Sequence, residues 1–111
     1  MTVFVDDERA PFGRMILCYM IATSDDELHA MADRVGLVRA QFKRDHYDLS
    51  LGKRKQAVAA GALEITWREC GTLIMFRRRF GYVPAVDGDP EIRAAQLSAL
   101  RAKLAEPARA T

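Results

Sequence analysis

The sequence predicts an α/β domain: a small mixed, largely parallel sheet of about four strands with helices packed on it. Two observations carry that expectation. Short β-branched or apolar runs alternate with helical patterns along the chain, as in strand–helix–strand units. Each well-formed helical pattern also opens on Ser, Thr or Asp, and two of them close on glycine, which is how helices start and stop.

The elements follow in order. Thr2 to Val5 is β-branched and aromatic and reads as a short strand. Residues 8–13, ERAPFG, read as a loop because of Pro11 and Gly13. MILCYMIA, Met15 to Ala22, is continuously apolar and reads as a central strand buried on both faces. Ser24-Asp25-Asp26-Glu27 is a capping box. Leu28, Met31, Ala32 and Val35 then make one apolar helix face, stopped by Gly36. His46 to Leu49 reads as a strand. Ser50 caps a helix that Gly61 ends, Ala62 to Ile65 is a strand, and Thr66-Trp67-Arg68-Glu69 is a second capping box. Trp67, Cys70, Gly71 and Ile74 fall at helical spacing, so Trp67 is expected in the core.

The organisation expected is a core over residues 1–80, a linker over 81–89 and an amphipathic helix over 90–106. Asp89-Pro90 supplies its cap and first position. Leu97, Leu100 and Leu104 form one stripe. Burial within the domain is the first expectation for that stripe, and a homodimer through this helix is the alternative.

At 111 residues the chain suits a single core. Its longest apolar run has eight residues, too short to cross a bilayer, so no membrane association is expected. No basic segment precedes an apolar one at the start, so no secretory signal is visible. Cys18 and Cys70 lie in apolar or helical surroundings without a CxxC. They are expected as buried thiols of a cytoplasmic protein. The net charge of +2 conceals an asymmetry. Residues 34–79 hold 11 Lys/Arg against 4 Asp/Glu, and the remainder is acidic. A basic middle suits an anionic partner, nucleic acid included.

The chemistry-bearing stretch is RDHYDLSLGKRKQ, residues 44–56. Lys53, Arg54 and Lys55 stand in the first turns of the helix capped by Ser50, where the helix dipole disfavours cations by roughly 0.3–1 kcal/mol each. A bound phosphate would reverse that balance. Ser50, Lys53, Arg54 and Tyr47 are therefore the candidate ligand-binding residues, although no GxxxxGK[ST] loop is present. Asp6, Asp7 and Asp48 are candidate ligands for Mg²⁺ or Mn²⁺, whose preference is for oxygen. His46 and Asp48 are the candidate catalytic pair, because an imidazole titrates near neutrality. Two histidines without HxxxH or HxH spacing do not make a structural zinc site.

The motifs VFVDD, SDDELHA, HYDLS and AVAAGALEIT, taken together and in this order, resemble an uncharacterised bacterial and phage family of small domains. That family is labelled as a domain of unknown function. The resemblance covers about residues 2–70. It implies that Asp6, Asp7, His29, His46, Tyr47 and Asp48, followed by Lys53 and Arg54, are the motif residues. The family often has His where Tyr19 stands here, which weakens the metal reading more than the anion reading.

These readings converge on a domain that binds a phosphate-bearing ligand, either a nucleotide or nucleic acid. Hydrolysis with a divalent metal is its extension. The competing expectation is a non-enzymatic protein that binds or inhibits a host protein or nucleic acid.

Overall fold

The computed structural model describes residues 2–107. They form an α/β fold of three layers, with helices on both faces of one mixed sheet. The strands are β1 (Val3–Val5), β2 (Ala10–Phe12), β3 (Met15–Ala22), β4 (Tyr47–Ser50) and β5 (Leu63–Glu64). The helices are α1 (Asp25–Arg34), α2 (Leu51–Ala59), α3 (Trp67–Phe80) and α4 (Pro90–Ala105), with a 3-10 turn at Arg39–Gln41.

The expected caps are in place because they depend only on neighbouring residues. The Ser24 and Ser50 side chains accept from the backbone N–H of Glu27 and Lys53, at 3.3 Å each. Thr66 and Glu69 close a reciprocal capping box at the start of α3. Asp89 caps α4 through the N–H groups of Glu91 and Ile92. Gly36 and Gly61 take the left-handed conformation after α1 and α2.

The sheet has five strands rather than about four. The segment 8–13, expected as a loop, contains β2. Its Pro11 lies on an edge strand, where no ladder donor is needed. Met20 pairs with Val5 on one side and Tyr47 on the other. Leu17 likewise pairs with Ala10 and with Ser50. So β1 and β2 lie end to end along one edge of β3, with β4 along the other. The β1–β3, β2–β3 and β3–β4 pairs are antiparallel and only β1–β5 is parallel. The reason is the single reversed strand, β3, placed centrally; β1, β2, β4 and β5 all run the other way. The chain regains that direction before β4 through a tight reversal, in which the Lys43 N–H donates to the His46 carbonyl at 2.9 Å.

One core lies under α1 and α2 and includes Val5, Met20, Leu28, Tyr47, Leu49 and Ala57. The other lies under α3 and α4 and includes Phe4, Ile21, Leu73, Ile74 and Leu97. Leu97 therefore packs within the domain. In the segment 81–89, expected as a linker, Val83 and Val86 join this second core. Trp67 departs from its expected burial and is 52% exposed. It sits at the first position of α3, with the Arg68 guanidinium 5.2 Å over its ring. No helix is long and apolar enough to cross a membrane among the described residues.

Candidate functional site

The reversal of β3 divides the polar residues that follow the strands. Asp6-Asp7, Ser50 and Thr66 follow strands that run one way, and Ser24 follows the strand that runs back. Ser24 therefore stands at the opposite end of the sheet.

Asp6 occupies the bulge between β1 and β2 and is buried. Its Oδ1 accepts from the N–H of Tyr19 at 2.8 Å and of Glu8 at 3.2 Å. Burial pushes its carboxyl up, and these two donors pull it part of the way back. Asp7 turns away, and its Oδ1 accepts from the Trp67 N–H at 2.6 Å, adding a second cap to α3. Asp48 sits across β3 from Asp6, because Tyr19 pairs with Asp48 in the ladder. The carboxylates of Asp6, Asp7 and Asp48 thus take separate partners. Among the described residues no three His, Cys, Asp or Glu side chains gather where one ion could be shared.

Two cations of the KRK run, Lys53 and Arg54, also have partners. Lys53 Nζ donates to the carbonyls of Val35 and Gly36 at the end of α1, at 2.9 and 3.1 Å. Arg54 Nε donates to the Asp6 carbonyl at 2.7 Å, and its Nη1 pairs with Glu64 at 2.9 Å. Misplaced on their own helix, these side chains are well placed on others: Lys53 neutralises the negative end of α1. The three arginines that end α3 are engaged too. Arg77 pairs with Asp25, Arg78 with Asp45, and Arg79 donates to the Leu104 and Glu106 carbonyls.

Tyr47 points into the core under α1. Its hydroxyl and His29 Nδ1 share a 2.7 Å hydrogen bond, and Phe42 packs against both rings. His46 points to the opposite face. Its ring stacks on Tyr19 with centroids 4.2 Å apart. Its Nδ1 lies 2.9 Å from Oδ1 of buried Asp45, whose Oδ2 accepts from Arg78 Nε at 2.9 Å. Burial pushes the Asp45 carboxyl up, but the hydrogen bonds and charges of Arg78 and His46 outweigh it and hold it below the usual range. An ionised carboxylate only accepts, so Nδ1 donates to Asp45, and Nε2 is turned towards Asp48. Asp48 Oδ1 is 3.7 Å from Nε2, too far for a direct hydrogen bond. The other Asp48 oxygen accepts from Lys43 Nζ.

Asp45 was missing from the candidate residues. RDHYD carries two acids, and only a tertiary contact to Arg78, 33 residues along the chain, distinguishes the buried one. The one signal nearby is structural: Arg44 has φ of +61°, a left-handed conformation unusual for an arginine. The Asp45 N–H donates back to the Lys43 carbonyl at 2.6 Å, which makes this a tight γ-type turn. It carries Asp45 and His46 under Arg78.

Beside this network lies a cavity of about 380 Å³. Phe12, Met15, Leu17 and Leu37 supply apolar wall, and Lys43, Asp48, Ser50 and Lys53 supply polar groups. Of the sequence-derived candidates, Asp48, Ser50 and Lys53 meet here. His46 adjoins through Asp48. Tyr47 and Arg54 do not line it. Burial pushes the Cys18 thiol up to about 11 and raises Cys70 further, so neither is poised as a nucleophile.

One family model matches residues 3–77, and its description is a protein of unknown function, DUF4031. No curated protein and no solved structure matches the chain.

Proposed function

The chain belongs to the DUF4031 family, and we propose that it binds a phosphate-bearing ligand, a nucleotide or nucleic acid, in the cavity beside His46 and hydrolyses its phosphoester bond. One observation carries this reading. The Asp45–His46 pair and the cavity meet at Lys43 and Asp48. An apolar cavity with a few convergent polar groups is the common form of a small-molecule site, and an oriented imidazole at its edge is the common form of a general base.

The roles follow from the donors left over. Lys43 Nζ has three N–H groups and Asp48 takes one, so two face a phosphate. The Ser50 oxygen accepts from the Lys53 N–H, and its own hydrogen is free for a phosphate oxygen. His46 Nε2 takes the proton of a water that attacks phosphorus as the P–O bond to the leaving group breaks, and the departing oxygen takes a proton from solvent. Asp45 holds the ring in the required tautomer and stabilises the imidazolium, as the carboxylate of a catalytic triad does. Mg²⁺ or Mn²⁺ would find Asp48 as its one protein carboxylate here, in exchange for Lys43, and would supply charge neutralisation to the phosphate.

The test is a thermal-shift titration with inorganic phosphate, nucleotides, Mg²⁺ and Mn²⁺, on wild type and Lys43→Ala. A ligand at 100 times its Kd adds about 2.7 kcal/mol. A shift that Lys43→Ala abolishes supports the site, and release of phosphate that His46→Ala abolishes supports hydrolysis. A shift without hydrolysis favours the non-enzymatic reading. No shift with any of these ligands overturns the proposal.

A further inference from the structure

The face of the sheet next to this site is only half covered. Residues 15, 17, 19 and 21 of β3 point to the side of α3 and α4. Ile21 is buried there and Tyr19 packs against the same core. Nearer the β2–β3 turn the cover runs out. Met15 is 48% exposed, and Phe12, its partner in the ladder, is 70% exposed. Leu17 continues the row towards Ser50. The result is an apolar strip across β2 and β3 that forms one wall of the cavity.

Three arginines stand next to lining residues in the chain. Arg14 stands in the turn between Phe12 and Met15, Arg39 precedes the lining residue Ala40, and Arg44 follows Lys43. All three are exposed. None of them takes part in an ion pair among the described residues, whereas Arg54, Arg77, Arg78 and Arg93 all do. Asp48 is the one acid in the cavity wall, and Lys43 already neutralises it. An apolar wall with unpaired arginines next to its residues in the chain is complementary to a strand that alternates ring faces with negative charges.

Resting on the phosphate-site reading, we propose that the ligand class is single-stranded nucleic acid. A base stacks on Phe12 against Met15, and its phosphate reaches Lys43 and Ser50 beside His46. Neighbouring phosphates meet Arg14, Arg39 and Arg44. Stacking of bases on an exposed aromatic within a cationic groove is how sequence-tolerant single-strand binding works. A duplex keeps its ring faces inside the stack and cannot use Phe12 in this way.

The experiment is fluorescence anisotropy with labelled ten-nucleotide single strands of DNA and RNA, and with the matching duplexes, on wild type, Phe12→Ala, Phe12→Tyr and Arg14→Ala/Arg44→Ala. Phe12 is exposed, so its variants are expected to fold. Expected are binding of single strands in preference to duplex, a loss of about tenfold or more in Phe12→Ala, and recovery in Phe12→Tyr. The double arginine variant should show a shallower dependence on salt. Equal binding of duplex and single strand, indifference to Phe12→Ala, or no oligonucleotide binding overturns the proposal. If phosphate or mononucleotides still give a Lys43-dependent thermal shift while oligonucleotides fail, the strand inference falls alone. If both fail, the phosphate site falls with it.

Discussion

Lys53 Nζ donates to the Val35 carbonyl across 2.9 Å, linking the first turn of α2 to the last carbonyls of α1. A cation that opposes the dipole of its own helix complements that of its neighbour. Lys53→Met keeps the apolar stem and removes the charge. It is expected to lower unfolding free energy by about 1–2 kcal/mol, read from urea titrations. An unchanged midpoint would show that the contact contributes nothing.

Asp7 ties the bulge after β1 to the start of α3 through the Trp67 N–H. Loss of a helix cap costs about 0.5–2 kcal/mol. Asp7→Ala should therefore lower the melting temperature by several degrees, at roughly 4 °C per kcal/mol for a chain of this size. Asp7→Asn retains the acceptor and should recover most of the loss. Equal losses in both variants would point to charge instead of capping.

Asp45 is held below the ordinary aspartate value of 3.8 by Arg78 and His46 despite its burial. A depressed carboxyl contributes stability that is full above its unfolded value and disappears as pH falls through the folded one. The stability gap between wild type and Asp45→Asn should thus be widest near neutral pH and should narrow once the pH drops below 3.8. Denaturant titrations at neutral and acid pH check this. A gap that stays constant with pH would assign the effect to packing.

Arg44 adopts a conformation that costs a non-glycine residue roughly 1–2 kcal/mol. Arg44→Gly is expected to leave stability unchanged or raise it by up to about 1 kcal/mol, while oligonucleotide affinity falls. An exposed arginine held in a left-handed turn fits a binding role. A destabilised glycine variant would contradict this account.

Tyr19 pairs with Asp48 in the ladder and stacks on His46. Tyr19→His would put a second imidazole beside that pair. Calorimetric titration with Zn²⁺ should show tighter binding in this variant than in wild type, lost again when Asp48→Ala is added. Equal affinities in all three proteins would mean that the stacked geometry does not direct both rings at one ion.

What the sequence discloses is what depends on near neighbours. Ser24, Ser50, Thr66 and Asp89 cap helices because their partners lie two or three residues away. The second strand was hidden because Pro11 signals a turn locally, and only pairing with β3 makes an edge strand of residues 10–12. The acceptors of Lys53 and Arg54 lie 18 and 48 residues upstream. A helix-start argument cannot see them: both cations tie neighbouring elements together, and Lys53 also lines the cavity while Arg54 does not. The same limit concealed Asp45. Asp48 and Ser50 reach the same cavity because strand alternation places both on the face opposite Tyr47 and Leu49.

The family match stops at residue 77, inside α3, but the second core does not. Leu97 of α4 packs in that core with Phe4 and Ile21, and Arg93 reaches back from α4 to Glu69 at 2.8 Å. Kinship and cooperativity therefore have different borders. A chain cut after Phe80 keeps the whole matched segment and loses the roof over half the sheet. It should bind hydrophobic dyes and aggregate, whereas the intact chain should protect the amides of Leu73 and Leu97 from hydrogen exchange to the same depth, as parts of one unfolding unit.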